Sequence, residues 1–317
     1  MNSNQLIRIG LIGLGRMGQN HLRVLSLLKG VEIAFISDIN IEIARRLGEQ
    51  YNAPIENIEE LSLSDLDGVI ICTPTITHDS YIRLVANRVS NIFVEKPIAS
   101  TLNETEKLVE FVQKNNLNLQ VGFIERFNPA IQSLKKILEK SECVISLDFT
   151  RTNKLSSRIT DVDVITDLMI HDIDLALFLN GPAISVTAHG FASIEMTDFA
   201  SALIKHSNGR FSRIQASRIT EKKMRLIEAT CLEMYIHCDL LRKEILISRQ
   251  TETTQAEGQA YIISGIQEAI EVRPQEALLF EMQAFVNNCR SKSKISVPNE
   301  DDGLAAMRIC EQIHLII

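Results

Sequence analysis

The chain has 317 residues, which is more than a single hydrophobic core usually organises, so its length predicts two domains. Its 33 basic and 40 acidic residues give a formal net charge of −7, which argues against general binding to nucleic acid or anionic lipid. The polar amino terminus and the interrupted apolar stretch after it are unlike a signal peptide or a membrane span, so we expect a cytoplasmic protein. The six cysteines form no CxxC pair and no zinc-type Cys/His cluster, so we predict reduced thiols and no bound metal.

The first 122 residues alternate short apolar runs with longer amphipathic runs. The apolar runs are rich in Ile, Val and Leu and have the length of strands: LIRIGLIG, VEIAFISD, DGVIICT, NIFVE and LNLQVGF. Strands of this kind are buried on both faces, and the amphipathic runs between them have the period of crossover helices. Residues 1–122 are therefore predicted to form a doubly wound parallel sheet.

The texture changes after residue 122. A helical segment at residues 129–140 leads into strand-like runs between residues 143 and 250, which are interrupted by one helix at 167–179. The dipeptide Asn208-Gly209 is a strong hairpin signal, and short connections favour antiparallel pairing. Two more helices, near residues 275–289 and 302–316, close the chain. We predict a second domain over residues 123–317 with a mostly antiparallel sheet, whose last helix could pack back on the first domain.

The sequence GLGRMG follows the first predicted strand and opens the first predicted helix. Gly13 permits a tight turn, Gly15 lets the backbone approach a pyrophosphate, and Gly18 allows close packing of helix on strand. Arg16 and Met17 lie in the same turn, at a helix amino terminus that would face an anionic diphosphate. The motif predicts a dinucleotide site that includes these five residues; the alternative is a glycine turn that serves packing alone.

Asp38 ends the second predicted strand, twenty residues beyond Gly18. A carboxylate there can accept hydrogen bonds from ribose hydroxyls and would repel a 2′-phosphate, which favours NAD over NADP. Residues 39–41 contain no basic side chain, although Arg45 or Arg46 could reach round.

Further candidates follow the third and fourth predicted strands, at the sheet edge where such folds bind ligands. Thr73 and Pro74 lie in CTPTITH, whose His78 is expected near the cofactor or exposed. Glu95 and Lys96 lie in VEKP. A lysine beside a nicotinamide could hydrogen-bond a substrate hydroxyl and lower its pKa, whereas the alternative is a solvated surface lysine.

The helix predicted at residues 167–179 carries a polar stripe on an otherwise apolar surface. Asp167, His171 and Asp174 recur at spacings of four and three residues, which places them on one face. A histidine on such a face is often a hydrogen-bonded core residue, but the aspartate one turn earlier could orient the imidazole or a substrate. We therefore retain Asp167 and His171 as catalytic candidates.

Four segments in order, GLIGLGRMGQNH, CTPTITH, VEKP and DLMIHDID, resemble the glucose-fructose oxidoreductase, inositol dehydrogenase and rhizopine catabolism (Gfo/Idh/MocA) family. The resemblance covers most of the chain. It implies a Rossmann domain followed by an open-faced antiparallel sheet, hydride transfer between a sugar-like alcohol and a nicotinamide, and homodimers or homotetramers. It also maps the family lysine onto Lys96 and the family Asp/His pair onto Asp167 and His171. In the mechanism this suggests, His171 removes the hydroxyl proton, Lys96 stabilises the alkoxide and Asp167 positions the hydroxyl.

The segment GFIERFNPA is similar to the branch of the family that oxidises UDP-N-acetylglucosamine at its 3-position to a 3-keto sugar. This similarity makes Arg126 and Asn128 candidates for nucleotide-sugar binding, because arginine can form paired hydrogen bonds with a diphosphate. Arg151, Lys154 and Arg158 are further candidates, because they add positive charge on the next strand and loop. The alternative for these residues is ordinary surface charge. Two other functions stay open, which are a dehydrogenase of a free polyol such as myo-inositol and a non-catalytic NAD-binding regulator.

Overall fold

The computed structural model describes residues 6–57, 65–154, 162–193, 196–254, 262–290 and 296–317. The chain divides into two compact units, Met1–Ile124 with Glu276–Met307, and Glu125–Gln275 with Arg308–Ile317. The sequence placed a boundary after residue 122 and kept residues 123–317 in one domain, with the last helix able to pack back on the first. The structure differs for residues 276–307, which belong to the first unit.

The first unit contains a five-stranded parallel sheet in the order β2-β1-β3-β4-β5. Its strands are β1 (Ile7–Ile12), β2 (Val31–Ser37), β3 (Gly68–Ile71), β4 (Asn91–Glu95) and β5 (Asn118–Gly122). The connecting helices are α1 (Arg16–Leu27), α2 (Ile41–Tyr51), α3 (His78–Ala86) and α4 (Leu102–Lys114). The predicted doubly wound sheet is confirmed, because every strand returns in parallel after a helical crossover.

Local sequence determines where several of these helices begin and end. The Asn40 side chain accepts hydrogen bonds from the first turn of α2, and Thr101 and Glu104 form a reciprocal capping box at the start of α4. Asn52 at the end of α2 and Asn116 after α4 adopt left-handed backbone with φ of 50° and 51°. The amino-terminal caps lie in strand-to-helix loops at the carboxyl edge of the sheet, whereas the two left-handed asparagines end the helices on the way to the next strands.

Helix α7 (Ala277–Arg290) also belongs to the first unit. It packs on α1, β1 and β4, and its Met282, Phe285 and Val286 side chains are fully buried in the same core as β1. The chain thus leaves the first unit and returns to it, which a single boundary at residue 122 cannot represent.

The second unit contains an eight-stranded sheet in the order β13-β12-β11-β10-β6-β9-β8-β7. Its strands are β6 (Val144–Lys154), β7 (Ala183–Ala192), β8 (Thr197–His206), β9 (Phe211–Ser217), β10 (Ile219–Cys231), β11 (Tyr235–Asp239), β12 (Glu244–Thr254) and β13 (Ile262–Ile270). Neighbours pair antiparallel except β6 with β9, which confirms a mostly antiparallel sheet. The hairpin between β8 and β9 turns at Gly209, whose φ is +86°.

Helices cover one face of this sheet. The first is α5 (Pro129–Leu138). Further along the chain, a five-residue π-helical turn at Ile165–Met169 runs directly into α6 (Ile170–Asn180), and this turn and α6 both pack on β9. The helix expected to begin at residue 167 therefore begins with a widened turn, a feature that is frequent at functional sites. The last helix, α8, spans Glu300–Ile316. Among the described residues, no helix is long and apolar enough to cross a membrane.

Candidate functional site

The glycine turn between β1 and α1 has the geometry of a dinucleotide cradle. Gly13 has φ of +90°, and a Cβ there would lie 2.7 Å from the backbone carbonyl of Cys72. A Cβ on Gly18 would lie 1.9 Å from the carbonyl oxygen of Gly13. A Cβ on Gly15 would meet nothing within 4 Å, and no side chain caps α1 behind it. Gly13 and Gly18 are required for packing, whereas Gly15 leaves open space at a helix amino terminus that suits an anion.

Asp38 follows β2 and ties this turn together. Its Oδ2 accepts a hydrogen bond from the backbone N–H of Leu14 at 2.6 Å, and its Oδ1 accepts one from Asn40 at 2.7 Å. Each carboxylate oxygen keeps a second lone pair for an outside donor such as a ribose hydroxyl. Asp38 therefore fixes the glycine turn and also presents a carboxylate beside it.

A cleft of about 940 Å³ opens above the carboxyl edge of the first sheet, which is within the size range of ligand sites. Its lining includes eight of the predicted cofactor residues: Gly13, Gly15, Met17, Asp38, Thr73, Pro74, Glu95 and Lys96. An apolar group, Ile39, Ile41 and Ile55, lines the Asp38 end, and Ile39 is 98% exposed. Residues at this edge thus provide both a polar cradle and an apolar slot of the kind an adenine ring could fill.

His78 has a position that the sequence did not predict. It is almost fully buried, with Nδ1 2.9 Å from the carbonyl oxygen of Pro97 and Nε2 2.9 Å from that of Thr73. Burial lowers the pKa of the imidazole, although the two carbonyls oppose this shift. His78 links the two strand-end segments beneath the cleft and is not among the residues that line it.

Below Glu95 and Lys96 lies a buried polar cluster. Glu95 Oε1 is 2.7 Å from Nε2 of the fully buried His21, and Glu95 Oε2 accepts a hydrogen bond from the Lys96 backbone N–H at 3.3 Å. Glu281 on α7 is also fully buried, and neither of its oxygens has a hydrogen-bond partner among the described residues. Burial, together with the charge of Glu95, raises the pKa of Glu281 well above its usual range.

Asp167 and His171 belong to the second unit. Asp167 lies in the π-helical turn and His171 in the first turn of α6, and both are half-buried. Asp163 anchors the turn, because its Oδ1 accepts the Thr166 N–H at 2.8 Å and its Oδ2 contacts His314 of α8. The third residue of the predicted stripe, Asp174, is 1% exposed and therefore lies deeper than the other two.

Two arginines that the sequence offered to a diphosphate are instead held by buried carboxylates. Arg126 Nε and Nη2 donate to Asp174 at 2.6–3.1 Å, and Arg151 Nε and Nη2 donate to Asp172 at 2.7 Å each. Arg151 Nη1 also donates to Glu125 at 2.9 Å. Burial acts against the charged guanidinium, but Asp172 and Glu125 outweigh it and raise the pKa of Arg151. Both guanidinium groups thus donate to internal carboxylates, and their binding of a diphosphate stays a prediction.

The other basic and polar candidates also have local partners. The Asn128 side chain accepts the Ala130 N–H at the start of α5 and donates to Glu125 at 3.2 Å. Lys154 is largely exposed and forms an ion pair with Glu221 at 2.8 Å. Arg158 lies outside the described residues. The positive charge predicted for a diphosphate is therefore not assembled by the described members of this set.

Sequence reasoning missed several cleft and cluster residues. His21, Cys72 and Tyr81 were not singled out, nor were the carboxylates that pair with arginine, Glu125 and Asp172. The two isoleucines that follow Asp38, Ile39 and Ile41, were a usable signal, because neighbouring exposed apolar side chains can mark a ligand surface. The carboxylates gave no local signal, since their partners are distant in sequence.

Fold and cleft together define a dinucleotide-dependent enzyme with a second sheet domain. Residues 7–123 match the oxidoreductase family with an NAD-binding Rossmann fold, and residues 147–239 match the GFO/IDH/MocA C-terminal domain. The chain therefore belongs to the Gfo/Idh/MocA family, and the resemblance stated from its motifs is confirmed. It is an NAD-binding oxidoreductase, in agreement with the cofactor predicted from the glycine turn and Asp38.

Relatives within the family act on sugars and polyols. The chain is 28% identical over 306 residues to a UDP-N-acetylglucosamine 3-dehydrogenase of Acidithiobacillus ferrooxidans, covering 96% of this chain and 94% of that protein. A solved structure of the enzyme from that organism superposes with a TM-score of 0.86 at 26% identity, covering 98% and 97% of the two chains. A scyllo-inositol 2-dehydrogenase (NAD(+)) of Bacillus subtilis is 31% identical over 238 residues, covering 67% of each chain.

Proposed function

We propose that the protein oxidises a secondary hydroxyl of a sugar with NAD, and that its substrate is a UDP-N-acetyl-hexosamine oxidised at its 3-position to the 3-keto sugar. The observation that carries the substrate is the similarity to the UDP-N-acetylglucosamine 3-dehydrogenase, which extends over 96% of this chain and so includes both units. Inositol 2-dehydrogenases match either at slightly higher identity over only 67% of this chain or over 96% of it at a lower identity of 25%.

The cofactor fit rests on the cradle itself. Open space at Gly15 and an uncapped α1 terminus can receive a diphosphate, and Asp38 can receive ribose hydroxyls. Bound NAD supplies the acceptor for the hydride that leaves the substrate carbon. A 2′-phosphate would meet the Asp38 carboxylate, which supports NAD rather than NADP.

Three side chains carry the proton chemistry in this proposal. His171 accepts the hydroxyl proton on an imidazole nitrogen, because histidine titrates close to neutral pH. Lys96, which lines the cleft, stabilises the oxygen as negative charge develops on it. Asp167, four residues before His171, accepts a hydrogen bond from the substrate and positions the hydroxyl. In the reverse direction, His171 returns the proton to the carbonyl oxygen.

A substrate panel tests this function. The full chain is assayed for NAD reduction with UDP-N-acetylglucosamine, UDP-N-acetylgalactosamine, myo-inositol and scyllo-inositol, with a carbonyl reagent present to trap the keto product. We expect turnover with a UDP-sugar. Efficient turnover with an inositol alone would replace the nucleotide sugar by a free polyol, and NAD binding without turnover on any member would favour the regulatory alternative.

The catalytic assignment makes its own prediction. His171→Ala and Lys96→Ala are each expected to lower kcat by roughly 100-fold or more, since general acid–base groups contribute on this scale. Lys140→Ala is the matched control, because Lys140 is exposed at the end of α5 and should leave kcat unchanged. Near-normal turnover in either active-site variant would remove that residue from the mechanism.

We also propose that the protein forms a homodimer or homotetramer through the outer face of the second sheet. Leu203 on β8, Phe211 on β9 and Tyr235 on β11 share this face by register, and each is between 39% and 47% exposed. Apolar side chains spread across an open sheet are typical of a surface that meets another chain. Light scattering should give a mass of two or four chains, and a monomer would contradict this proposal.

A further inference from the structure

Arg225 on β10 places a second guanidinium group beside the buried ion pair of Arg151 and Asp172. The register of β10 with β6 places Arg225 directly opposite Arg151, so both side chains project from the same face of the sheet. This is the face on which Ile227 and Ala229 of the same strand are fully buried. Arg225 is half-buried and lies where the covered part of the face ends.

The hydrogen bonds of Arg225 use only one edge of its guanidinium. Nη1 donates to the backbone carbonyls of Thr152 and Met224, both at 2.7 Å. Among the described residues, Nε and Nη2 have no acceptor, and no carboxylate lies within ion-pair distance. Arginine has five N–H donors in a rigid fork, so the group is held in place by two carbonyls while its other edge remains available.

The surroundings make this an unusual position for a cation. Burial lowers the pKa of Arg225 to about 10, and the positive charge of Arg151 adds to that effect. The nearby carboxylates Asp172 and Glu125 oppose it, but both are already bonded to Arg151. A partly desolvated guanidinium without its own anion is costly, and an incoming oxyanion would offset that cost.

Arg225 also lies in the electrostatic range of the candidate catalytic segment of the same unit. The charge of Asp167 acts on it, and the π-helical turn that carries Asp167 packs on β9, two strands from β10 in the sheet. A ligand bound to the available edge of Arg225 would therefore lie in the region that holds Asp167.

We propose that Arg225 is the substrate's oxyanion-binding residue, which takes a phosphate or carboxylate oxygen of an anionic sugar in a two-point hydrogen-bonded contact. This inference rests on the proposed function for the identity of the ligand as a sugar. It replaces the diphosphate role that the sequence gave to Arg126 and Arg151, whose guanidinium groups are occupied by Asp174 and Asp172.

Binding measurements test the subsite without requiring turnover. Titration calorimetry is carried out on the full chain saturated with NADH, so that nucleotides cannot occupy the cofactor cleft and no probe is oxidised, with UDP-N-acetylglucosamine, UDP, glucuronate and myo-inositol as probes. Arg225→Met is expected to weaken the binding of at least one anionic probe by roughly 10- to 100-fold, the scale of a charge-assisted hydrogen bond, and to leave myo-inositol unaffected. Arg225→Lys, which keeps the charge but loses the fork, should be intermediate.

Arg242→Met is the matched control, because Arg242 is an exposed arginine in the turn between β11 and β12 of the same unit. Loss with UDP and UDP-N-acetylglucosamine identifies a phosphate contact, and loss with glucuronate alone identifies a carboxylate contact; both support the subsite. Equal binding of every anion by wild type and Arg225→Met, or the same loss in Arg242→Met, overturns it. A chain that binds UDP through Arg225 but oxidises no UDP-sugar would refute the proposed function and leave the subsite intact.

Discussion

Asp172 in the second unit and Glu281 in the first are both buried carboxyl groups, but their surroundings are opposite. Asp172 is 3% exposed and receives two hydrogen bonds from Arg151 at 2.7 Å. Glu281 is 0% exposed, and its oxygens have no hydrogen-bond partner among the described residues. One carboxyl group has a cation as its partner, which favours the ionised form, and burial of the other raises its pKa and favours the protonated form.

The difference shows how each unit supports its own candidate residues. The Arg151–Asp172 pair joins β6 to α6, the helix that carries His171, and so fixes the orientation of that helix on the sheet. Glu281 lies in the buried cluster beneath the cleft, where its negative charge would add to that of Glu95. When Glu281 is neutral, Glu95 alone of these two groups carries a negative charge, and it lies next to Lys96.

Breaking the buried ion pair should have the largest effect. Asp172→Ala leaves Arg151 buried with only Glu125 to balance it, and removal of one partner of a buried pair typically costs about 3–5 kcal/mol. Denaturant unfolding measures the loss. Glu221→Ala is the control, because its ion pair with Lys154 is largely exposed and should contribute less than about 1 kcal/mol. If Asp172→Ala and Glu221→Ala lost similar unfolding free energy, the buried ion pair would contribute no more than the exposed one, contrary to this prediction.

Local patterns were sufficient for much of the fold. Unbroken apolar runs predicted the parallel sheet, and GLGRMG with Asp38 predicted the cradle, because all these signals lie within a few residues of one another. Strand β13 was missed, since its sequence IISGIQEAI combines polar residues with a glycine and lacks a clear alternation. The return of α7 to the first core was also missed, because an amphipathic helix does not encode which sheet it covers.

The arginines show the same limit at the site. Arg126 and Arg151 appeared available for a ligand because their carboxylate partners, Asp174 and Asp172, are 48 and 21 residues away. Asp172 also lies outside the stripe of Asp167 and His171 that marked the helix. Pairing with a residue of α6 depends on how that helix is rotated and placed on the sheet, which a local pattern does not specify.

Neutralising the unpaired carboxyl should have the next largest effect, and it should depend on pH. The pKa of Glu281 is raised in the folded state, so its stabilising contribution is full below the unfolded value near 4.5 and is lost as the pH rises toward the folded value. Glu281→Gln resembles the protonated acid and avoids this loss. We therefore expect the variant to match wild type below pH 4.5 and to gain on it by about 1.4 kcal/mol per pH unit above that, until the folded pKa is passed.

Unfolding free energies across this pH range provide the test. Glu110→Gln is the matched control in the same unit, because Glu110 is an exposed residue of α4 and its loss should produce no such pH-dependent gain. A Glu281→Gln variant that is less stable than wild type at neutral pH would show that the carboxyl is ionised and held by a partner.

A carboxyl group that is paired but exposed should show the smallest effect and complete the comparison. Asp79 and Arg83 form an ion pair on α3 at 2.9 Å, with both side chains 40% exposed, and their hydrogen bond raises the pKa of Arg83. Because water screens the pair, Asp79→Asn should cost less than about 1 kcal/mol, and the cost should shrink in concentrated salt. Arg83→Ala should cost more, since the guanidinium also stacks on Phe111 at 4.4 Å, a contact that salt does not screen. If both variants lost the same stability and salt did not change the loss, the stacking on Phe111 would contribute nothing and the ion pair would not be screened by water.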